Sequence, residues 1–177
     1  MRKLKIEELN RLSPEAYANI PKFRLTVVLD NIRSLNNIGS VFRTADAFLV
    51  EKICLCGISA TPPAAEIHKT ALGAEDTVAW EYFDDTLQAV EALKREGYTV
   101  FAVEQTCDSI SLERLHLDWE KSYAVVFGNE VKGVRQCVVD ACAGSIEIPQ
   151  FGTKHSLNVS VAAGIVIWHI FFEGTSP

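Results

Sequence analysis

The most chemically suggestive part of the chain is the segment 148–162, where a loop rich in proline and glycine leads into an apolar run. Ser156 is placed to cap the helix that this run predicts. Asn158 and Ser160 also enter the helix, and polar groups need partners once they are buried. Capping accounts for Ser156 only. We therefore expect the Asn158 amide to bind a ligand or a neighbouring loop.

A second candidate segment contains Asn37, Gly39 and Arg43. On a helix that starts near Asn37, six apolar residues share the core side, which leaves Gly39 and Arg43 on the opposite face. These six are Ile38, Val41, Phe42, Ala45, Phe48 and Leu49. A glycine lets a substrate approach the backbone closely, and a guanidinium one turn later can meet a phosphate or a developing oxyanion. The alternative is a helix capped by Asn37, in which Arg43 pairs with Asp46.

A third candidate is the glycine-rich stretch from Phe127 to Gly133, which follows a predicted strand. Its glycine spacing resembles that of a phosphate-binding loop, but Val134 and Arg135 stand where that motif needs Lys followed by Ser or Thr. No GxGxxG dinucleotide fingerprint is present either. The usual sequence motifs of nucleotide hydrolysis and of hydride transfer are therefore missing. The alternative interpretation of this stretch is a tight turn.

The elements that would position these loops alternate between strands and helices. Strands are predicted at 25–29, 52–56, 77–83, 98–103, 122–127 and 145–148, and helices at 38–49, 65–72, 86–96, 134–143 and 156–172. This alternation predicts an α/β fold, a mostly parallel sheet with helices on both faces. Ligands in such sheets bind beyond the carboxyl ends of the strands. Residues 1–22 are predicted to form a basic arm or short helix, and residues 23–177 to form the main domain.

Length and composition indicate a globular protein. The 177 residues are 48% hydrophobic and 23% charged, which suits one domain with a full core. The formal charge of −6 argues against a polyanionic partner, but residues 1–43 hold eight basic and four acidic side chains. This region therefore carries +4 and the remainder −10. Any contact with nucleic acid should begin at the amino-terminal end.

Cysteine usage and hydropathy bear on location and metal content. Five cysteines, with no signal peptide ahead of them, fit a reducing cytoplasm. Cys54 and Cys56 lack a second clustered pair, so we expect buried thiols and no metal. The apolar run from Leu157 to Phe172 is shorter than the ~20 residues that span a bilayer, which predicts a core helix and no membrane partner.

Taken together, the three segments resemble the signature motifs of the SpoU (TrmH-like) family of RNA 2′-O-ribose methyltransferases in the SPOUT superfamily. Motif one is Asn37-x-Gly39-x-x-x-Arg43-x-Ala45. Motif two is Gly128-Asn129-Glu130 with Gly133, and motif three runs from Ile148-Pro149 to Ser156-Leu157-Asn158-Val159-Ser160. The resemblance covers residues 23–172. Val131 and Gln150 depart from it, since many relatives have glycine and methionine there.

The resemblance implies a fold whose carboxyl-terminal part is threaded into a deep trefoil knot, an exception to the rule that chains are unknotted. It also implies S-adenosyl-L-methionine as cofactor, a homodimer, and methylation of tRNA or rRNA. We expect tRNA as the substrate, because a minimal catalytic chain needs a substrate that presents its own shape. The residues that it assigns to the cofactor are Val103, Glu104, Gly128, Ile148 and Leu157. The residues that it assigns to catalysis are Arg43, Asn37, Glu130, Ser156 and Asn158.

A guanidinium holds its proton too tightly to act as a base. We therefore expect Arg43 to orient the ribose and stabilise the alkoxide, while the proton passes to a phosphate, water or Glu130. The expected RNA contacts are Arg2, Lys3, Lys5, Arg11, Lys22, Arg24 and Arg33. Alternatives are an rRNA enzyme and a noncatalytic module that binds S-adenosylmethionine or RNA. An oxidoreductase with a Rossmann fold is disfavoured by the missing fingerprint.

Overall fold

In residues 1–175, which the computed structural model describes, seven strands form a single sheet in which every pairing is parallel. The strands are β1 (Phe23–Asp30), β2 (Val50–Cys56), β3 (Ala79–Phe83), β4 (Tyr98–Val103), β5 (Ile110–Ser111), β6 (Ser122–Phe127) and β7 (Gly144–Glu147). Their order across the sheet is β3-β2-β1-β6-β4-β7-β5. The predicted α/β class and parallel sheet are confirmed.

The helices lie between the strands as predicted, with shifted ends. They are α1 (Pro14–Asn19), α2 (Leu35–Ala47), α3 (Ala65–Ala71), α4 (Ala74–Thr77), α5 (Thr86–Arg95), α6 (Gln136–Ala141) and α7 (Val159–Thr175). Short 3₁₀ turns occur at Ile6–Leu9 and Leu112–Arg114. The sequence predicted neither α4 nor β5, because four and two residues are too short to show a period. Thr77, expected at the start of a strand, ends α4 instead.

Both faces of the sheet are covered. On β1, Leu25, Val27 and Leu29 join one buried cluster, while Val28 points into a second cluster on the other side. The first cluster contains the apolar sides of α2 and α7, and the second contains those of α5 and α6. A strand buried on both faces is predominantly apolar, which explains why residues 25–29 of β1 are hydrophobic apart from Thr26.

Two expectations about α2 were wrong. The helix begins at Leu35, capped by Ser34, whose Oγ accepts a hydrogen bond from the Asn37 N–H at 3.3 Å. Asn37 is therefore inside the first turn and does not cap the helix. Gly39 is buried against α3, where a Cβ would collide with the Ile67 carbonyl and the Thr70 hydroxyl. The glycine permits close packing of two helices and does not face a substrate.

The last helix begins three residues later than predicted, because Asn158, and not Ser156, is its cap. The Asn158 side-chain oxygen accepts hydrogen bonds from the Ser160 N–H at 2.9 Å and the Ser160 hydroxyl at 2.7 Å. Val159, Ala163, Val166, Ile167 and Ile170 are buried, so this is a core helix, as predicted. No helix in residues 1–175 combines the length and apolar character needed to cross a bilayer. Cys54 and Cys56 are buried on β2, as expected for core thiols.

Candidate active site

A cavity of about 690 Å³ opens beyond the carboxyl ends of β4, β6 and β7. Its volume falls within the range of about 300–1,000 Å³ typical of small-molecule sites. The wall consists of the segments that follow these strands, together with the residues that lead into α7. The position agrees with the expectation that an open parallel sheet binds ligands at its carboxyl edge.

All five residues expected to bind the cofactor lie on the wall of this one cavity. They are Val103, Glu104, Gly128, Ile148 and Leu157. Val103 and Glu104 lie at the end of β4, Gly128 follows β6, and Ile148 follows β7. Residues far apart in the sequence are therefore adjacent in space, while their binding of a cofactor remains a prediction.

The loop from Gly128 to Gly133 forms one side of the cavity as a hydrogen-bonded turn. Asn129 N–H donates to the Gly133 carbonyl at 3.1 Å, and Gly133 N–H donates to the Asn129 carbonyl at 2.8 Å. The Asn129 side chain accepts from the N–H groups of Val131 and Lys132 and donates to the Asn31 carbonyl at 2.7 Å. Asn129, which was not among the predicted site residues, thus shapes the loop. The signal that could have identified it is an asparagine inside a glycine-rich turn.

Glu104 holds the other side of this loop. One carboxylate oxygen accepts from Gln105 N–H and the other from Val134 N–H, both at 2.9 Å. The Gln105 side chain donates in turn to the His155 carbonyl at 3.0 Å. The end of β4 therefore connects the glycine-rich loop to the segment that precedes α7, and both oxygens of Glu104 already have partners.

Glu130 points from the glycine-rich loop toward the start of α2. Its carboxylate accepts from Arg33 N–H at 3.0 Å, Ser34 N–H at 3.1 Å and the Asn37 side-chain amide at 3.1 Å. Burial raises the pKa of Glu130, but these hydrogen bonds outweigh burial and hold the pKa below its ordinary value. A carboxylate stabilised in this way is a weak base. The geometry therefore argues against Glu130 as the proton acceptor.

A chain of side-chain hydrogen bonds joins the three sequence motifs. Asn37 donates to Glu130, which leaves the Asn37 oxygen to accept from the Asn158 amide at 3.2 Å. Asn158 then uses its own oxygen to cap α7. Each amide orientation follows from its partner, since a carboxylate can only accept. The series Glu130–Asn37–Asn158 therefore brings three of the five predicted catalytic residues into contact.

The other two predicted catalytic residues occupy different environments. Ser156 is exposed and lines the cavity. Arg43 is exposed on α2, six residues beyond Asn37 and so about 9 Å further along the helix axis, and it does not line the cavity. Within residues 1–175, the structure gives Arg43 no hydrogen bond or ion pair. The alternative pairing with Asp46 is not formed, and Asp46 accepts from the Thr77 hydroxyl at 2.9 Å instead.

Some of the basic residues expected to contact RNA lie at opposite ends of β1. Lys22 and Arg24 lie at the amino end of β1, about 20 Å from the carboxyl end of that strand, and donate to backbone carbonyls. Arg2 pairs with Glu8 at 2.5 Å. Arg33 is exposed beside the cavity, where its N–H contacts Glu130. Lys132, which was not among the expected contacts, is exposed on the cavity wall itself.

The environment of Glu130 predicts an acid-sensitive contribution to stability. Its pKa is lower in the folded state than in the unfolded state, so the unfolded chain takes up the proton first as the pH falls. The stabilisation is complete at neutral pH and is lost as the pH falls below about 4, through the folded pKa. Because the side chain is exposed, we expect about 1 kcal/mol or less.

Urea unfolding of the wild type and of Glu130→Gln from neutral to acidic pH would measure this contribution. The free energies of unfolding should differ at neutral pH and converge in acid. Glu66→Gln, which removes an exposed carboxylate from α3, controls for the change in net charge. A constant difference between wild type and Glu130→Gln at all pH values would contradict the interpretation.

Comparison with known proteins identifies the family. A model of the SpoU rRNA Methylase family matches residues 24–168. The chain is 35% identical over 151 residues to the 23S rRNA (guanosine-2′-O-)-methyltransferase RlmB of Nitrosomonas europaea, an alignment that covers 83% of the chain and 55% of RlmB. It is 32% identical over 168 residues to the tRNA (guanosine(18)-2′-O)-methyltransferase of Thermus thermophilus, covering 94% of the chain and 80% of that enzyme.

The fold agrees with this relationship. The solved TrmH/SpoU tRNA modifying enzyme of A. aeolicus superposes with a TM-score of 0.77 and 28% identity, covering 89% of the chain and 78% of that enzyme. The chain spans little more than half of the length of the RlmB relative. The family model nevertheless extends across most of the chain, including the segments that contribute Asn37, Glu130 and Asn158. The protein belongs to the SpoU rRNA methylase family.

Proposed function

We propose that this protein is an S-adenosylmethionine-dependent methyltransferase that modifies the 2′-hydroxyl of a ribose in RNA. The observation that carries the proposal is the Glu130–Asn37–Asn158 series, which joins the three motifs beside one cavity. Relatives that act on 23S rRNA and on tRNA support the reaction class. We favour tRNA, because the alignment with the tRNA enzyme of Thermus thermophilus covers 94% of the chain and the alignment with RlmB covers 83%. An RNA substrate is consistent with a cytoplasmic enzyme.

The cavity residues are suited to S-adenosylmethionine. One part of the wall is apolar, with Val103, Ile146, Ile148 and Leu157, and could accept an adenine ring. Gly128 and Gly133 line the cavity, and the absence of a Cβ lets the loop close on its own backbone and on the Glu104 carboxylate. When bound, the cofactor supplies an electrophilic methyl group on a sulfonium. The protein must then hold the ribose hydroxyl in line with that methyl group.

The polar residues at the cavity mouth would orient the ribose. Asn158 is held by Asn37 and by its capping bonds, so its position is set before a substrate arrives. Ser156 is exposed on the cavity wall and can contact the sugar. Glu130 acts by positioning Asn37, since its carboxylate is already stabilised by three donors. The proton then passes to water or to an RNA phosphate.

A second copy of the chain would complete the site. One side of α7 exposes Val161, Ile165, Trp168 and Phe172, and the exposed Leu157 lies two residues before the helix. We call these five residues the α7 stripe. An apolar stripe of this kind is typical of an interface. We propose a homodimer that covers the α7 stripe and places Arg43 of each subunit at the cavity of the other. This arrangement explains why Arg43 is exposed outside its own cavity.

The dimer proposal predicts a large effect of a charge in the α7 stripe. Trp168 is 51% exposed, so Trp168→Glu should leave the fold intact, yet it should shift the protein from dimer to monomer. Analytical ultracentrifugation would measure the change, and methyl transfer should fall with the dimer fraction. Leu72→Glu, which places the same charge at an exposed apolar residue after α3, should remain dimeric. A monomeric wild type with full activity would refute the proposal.

We also propose that the chain is knotted, as the family resemblance implies. The hydrogen bond between Gln105 and His155 ties the segment after β4 to the segment before α7, and α7 then packs on α2. This path is consistent with a carboxyl-terminal segment that passes beneath a loop. Mechanical stretching from both termini would test it. A knotted chain should extend to less than its full contour length, whereas an unknotted chain should reach it.

The reaction is tested by transfer of a labelled methyl group from S-adenosylmethionine to unmodified tRNA and rRNA. Mapping of 2′-O-methylation in cells with and without the protein would then identify the nucleotide. A methylated ribose in tRNA is the expected result, and a methylated rRNA would support the alternative substrate. Binding of cofactor and RNA without any transfer would instead indicate a noncatalytic module.

A further inference from the structure

Phe151 is an unusual residue for a chain with a well-formed core. Its side chain is 97% exposed, in a segment where residues 151–158 are all exposed. Within residues 1–175, the structure gives it no aromatic ring partner. Exposing a phenyl ring costs the free energy that its burial would contribute, about 2 kcal/mol. Phe151 is the most exposed aromatic side chain in the residues that the structure describes, so its ring is available to a flat ligand.

Phe151 lies in a segment whose two ends line the candidate active-site cavity. Its neighbour Gln150 lines the cavity, and so does His155, whose carbonyl is held by Gln105. Both ends of the segment 150–155 therefore lie at the cavity, and Phe151 is adjacent in sequence to a residue of its wall. A Cβ on the adjacent Gly152 would meet nothing within 4 Å, so the surroundings leave room for a bound group.

The glycine-rich loop, which also lines the cavity, carries exposed apolar and cationic groups. Val131 is 74% exposed in the glycine-rich loop, and Lys132 follows it on the cavity wall. Lys154 is exposed three residues after Phe151. Single-stranded nucleic acids bind to this pairing, because bases stack on aromatic rings while lysines meet the phosphates. A peptide partner would have less use for the two cations.

We propose that Phe151 is a stacking platform for an unpaired nucleobase of the RNA, and that Lys132 and Lys154 contact its backbone. The proposal rests on the proposed function and names the substrate more narrowly. A base inside a duplex has both faces covered by its neighbours, so a stacking residue selects nucleotides in loops or bulges. Stacking also requires little net charge, which explains how a chain of −6 can bind RNA at this site.

Binding can be measured without catalysis. The probes are a fluorescent single-stranded RNA oligonucleotide and the same strand annealed to its complement, each titrated by anisotropy with protein saturated in S-adenosylhomocysteine. Phe151→Ala should weaken binding of the single strand by about 10- to 100-fold, in line with the loss of one stacked base. Phe151→Trp should restore binding, and Phe151→Leu should not. Wild-type protein should bind the duplex less tightly than the single strand.

Salt dependence separates stacking from charge. Phe151→Ala should leave the slope of log affinity against log salt unchanged. The double variant Lys132→Ala, Lys154→Ala should reduce the slope by about 1.4, since each phosphate contact to a single strand contributes about 0.7. Leu72→Ala, which removes another exposed apolar side chain, is the matched control and should not alter RNA binding.

Three outcomes would overturn the proposal. One is unchanged RNA affinity in Phe151→Ala, and another is full binding by Phe151→Leu. The third is a Phe151→Ala protein whose sedimentation differs from wild type, because the ring would then belong to a protein interface. If wild type transfers no methyl group but loses RNA affinity in Phe151→Ala, the proposed function fails and the stacking proposal stands. If wild type transfers methyl groups and Phe151→Ala changes neither transfer nor RNA affinity, the stacking proposal fails and the proposed function stands.

Discussion

Replacing Arg43 with alanine is expected to lower the rate of methyl transfer by about 10³-fold, the cost of removing one oriented donor from a developing oxyanion. The affinity for S-adenosylmethionine should stay unchanged, because Arg43 is proposed to contact the ribose and is not among the residues expected to bind the cofactor. Isothermal titration with the cofactor and single-turnover transfer to RNA would measure the two quantities separately. Arg43→Lys should also lose most activity, since an ammonium lacks the planar fork of a guanidinium.

Mixed dimers would show which cavity Arg43 serves. A subunit carrying Arg43→Ala keeps an intact cavity, and a subunit carrying Asn158→Ala keeps its arginine. If Arg43 acts across the interface, one of the two sites in a purified mixed dimer is complete, and about half of the wild-type activity returns. If Arg43 acts within its own subunit, neither site is complete. Mixed dimers without activity would therefore refute the proposed placement of Arg43.

Much of the fold was predictable because its strands are buried on both faces. The apolar runs of β1, β2, β4 and β6 can therefore be assigned as strands from the sequence alone. Their order in the sheet was not predictable, since β6 lies between β1 and β4 and the pairing depends on contacts distant in sequence. The ends of the helices were also misplaced. Ser34 and Asn37 are both good caps, and the sequence does not show which one is used.

The candidate site was predictable only as a set of residues. The sequence motifs include Asn37, Glu130 and Asn158. The hydrogen bonds between these residues, however, connect segments more than 90 residues apart in the sequence. The same dependence on distant contacts explains why the prediction that Gly39 faces a substrate was wrong. Nothing local shows that α3 packs against that glycine, since the contact depends on where another helix lies. Local sequence patterns therefore identified the residues of the site, whereas only the tertiary structure showed which contacts they make.

The glycine-rich loop illustrates how a cofactor site can be stabilised by groups outside it. Arg135, two residues after the loop, donates two hydrogen bonds of 3.0 Å to Asp85, the cap of α5. Its N–H also lies 3.4 Å from the buried carboxylate of Asp30, at the end of β1. Together with Glu104, these contacts hold the loop from both sides. A backbone restrained in this way cannot move aside to accommodate an added side chain.

Gly128→Ala should therefore have a large effect on cofactor binding. A Cβ at Gly128 would collide with the backbone of Gly133 and Val134. That backbone is held by the Gly133–Asn129 hydrogen bond and by the carboxylate of Glu104. Relieving the collision would displace the cavity wall. Overpacking of this kind costs about 1–3 kcal/mol, and we expect the affinity for S-adenosylmethionine to fall by about 10- to 100-fold.

The matched control for Gly128→Ala is Gly152→Ala, in the segment that leads to α7. A Cβ at Gly152 would meet nothing within 4 Å, so this substitution should leave both thermal stability and cofactor affinity unchanged. Calorimetric titration of the two variants with S-adenosylmethionine would compare the sites directly. Equal cofactor affinities in the two variants would mean that the loop from Gly128 to Gly133 shifts easily to accommodate the Cβ, or that it does not face the cofactor. If the cavity wall is restrained, cofactor binding should be weak in Gly128→Ala and unchanged in Gly152→Ala.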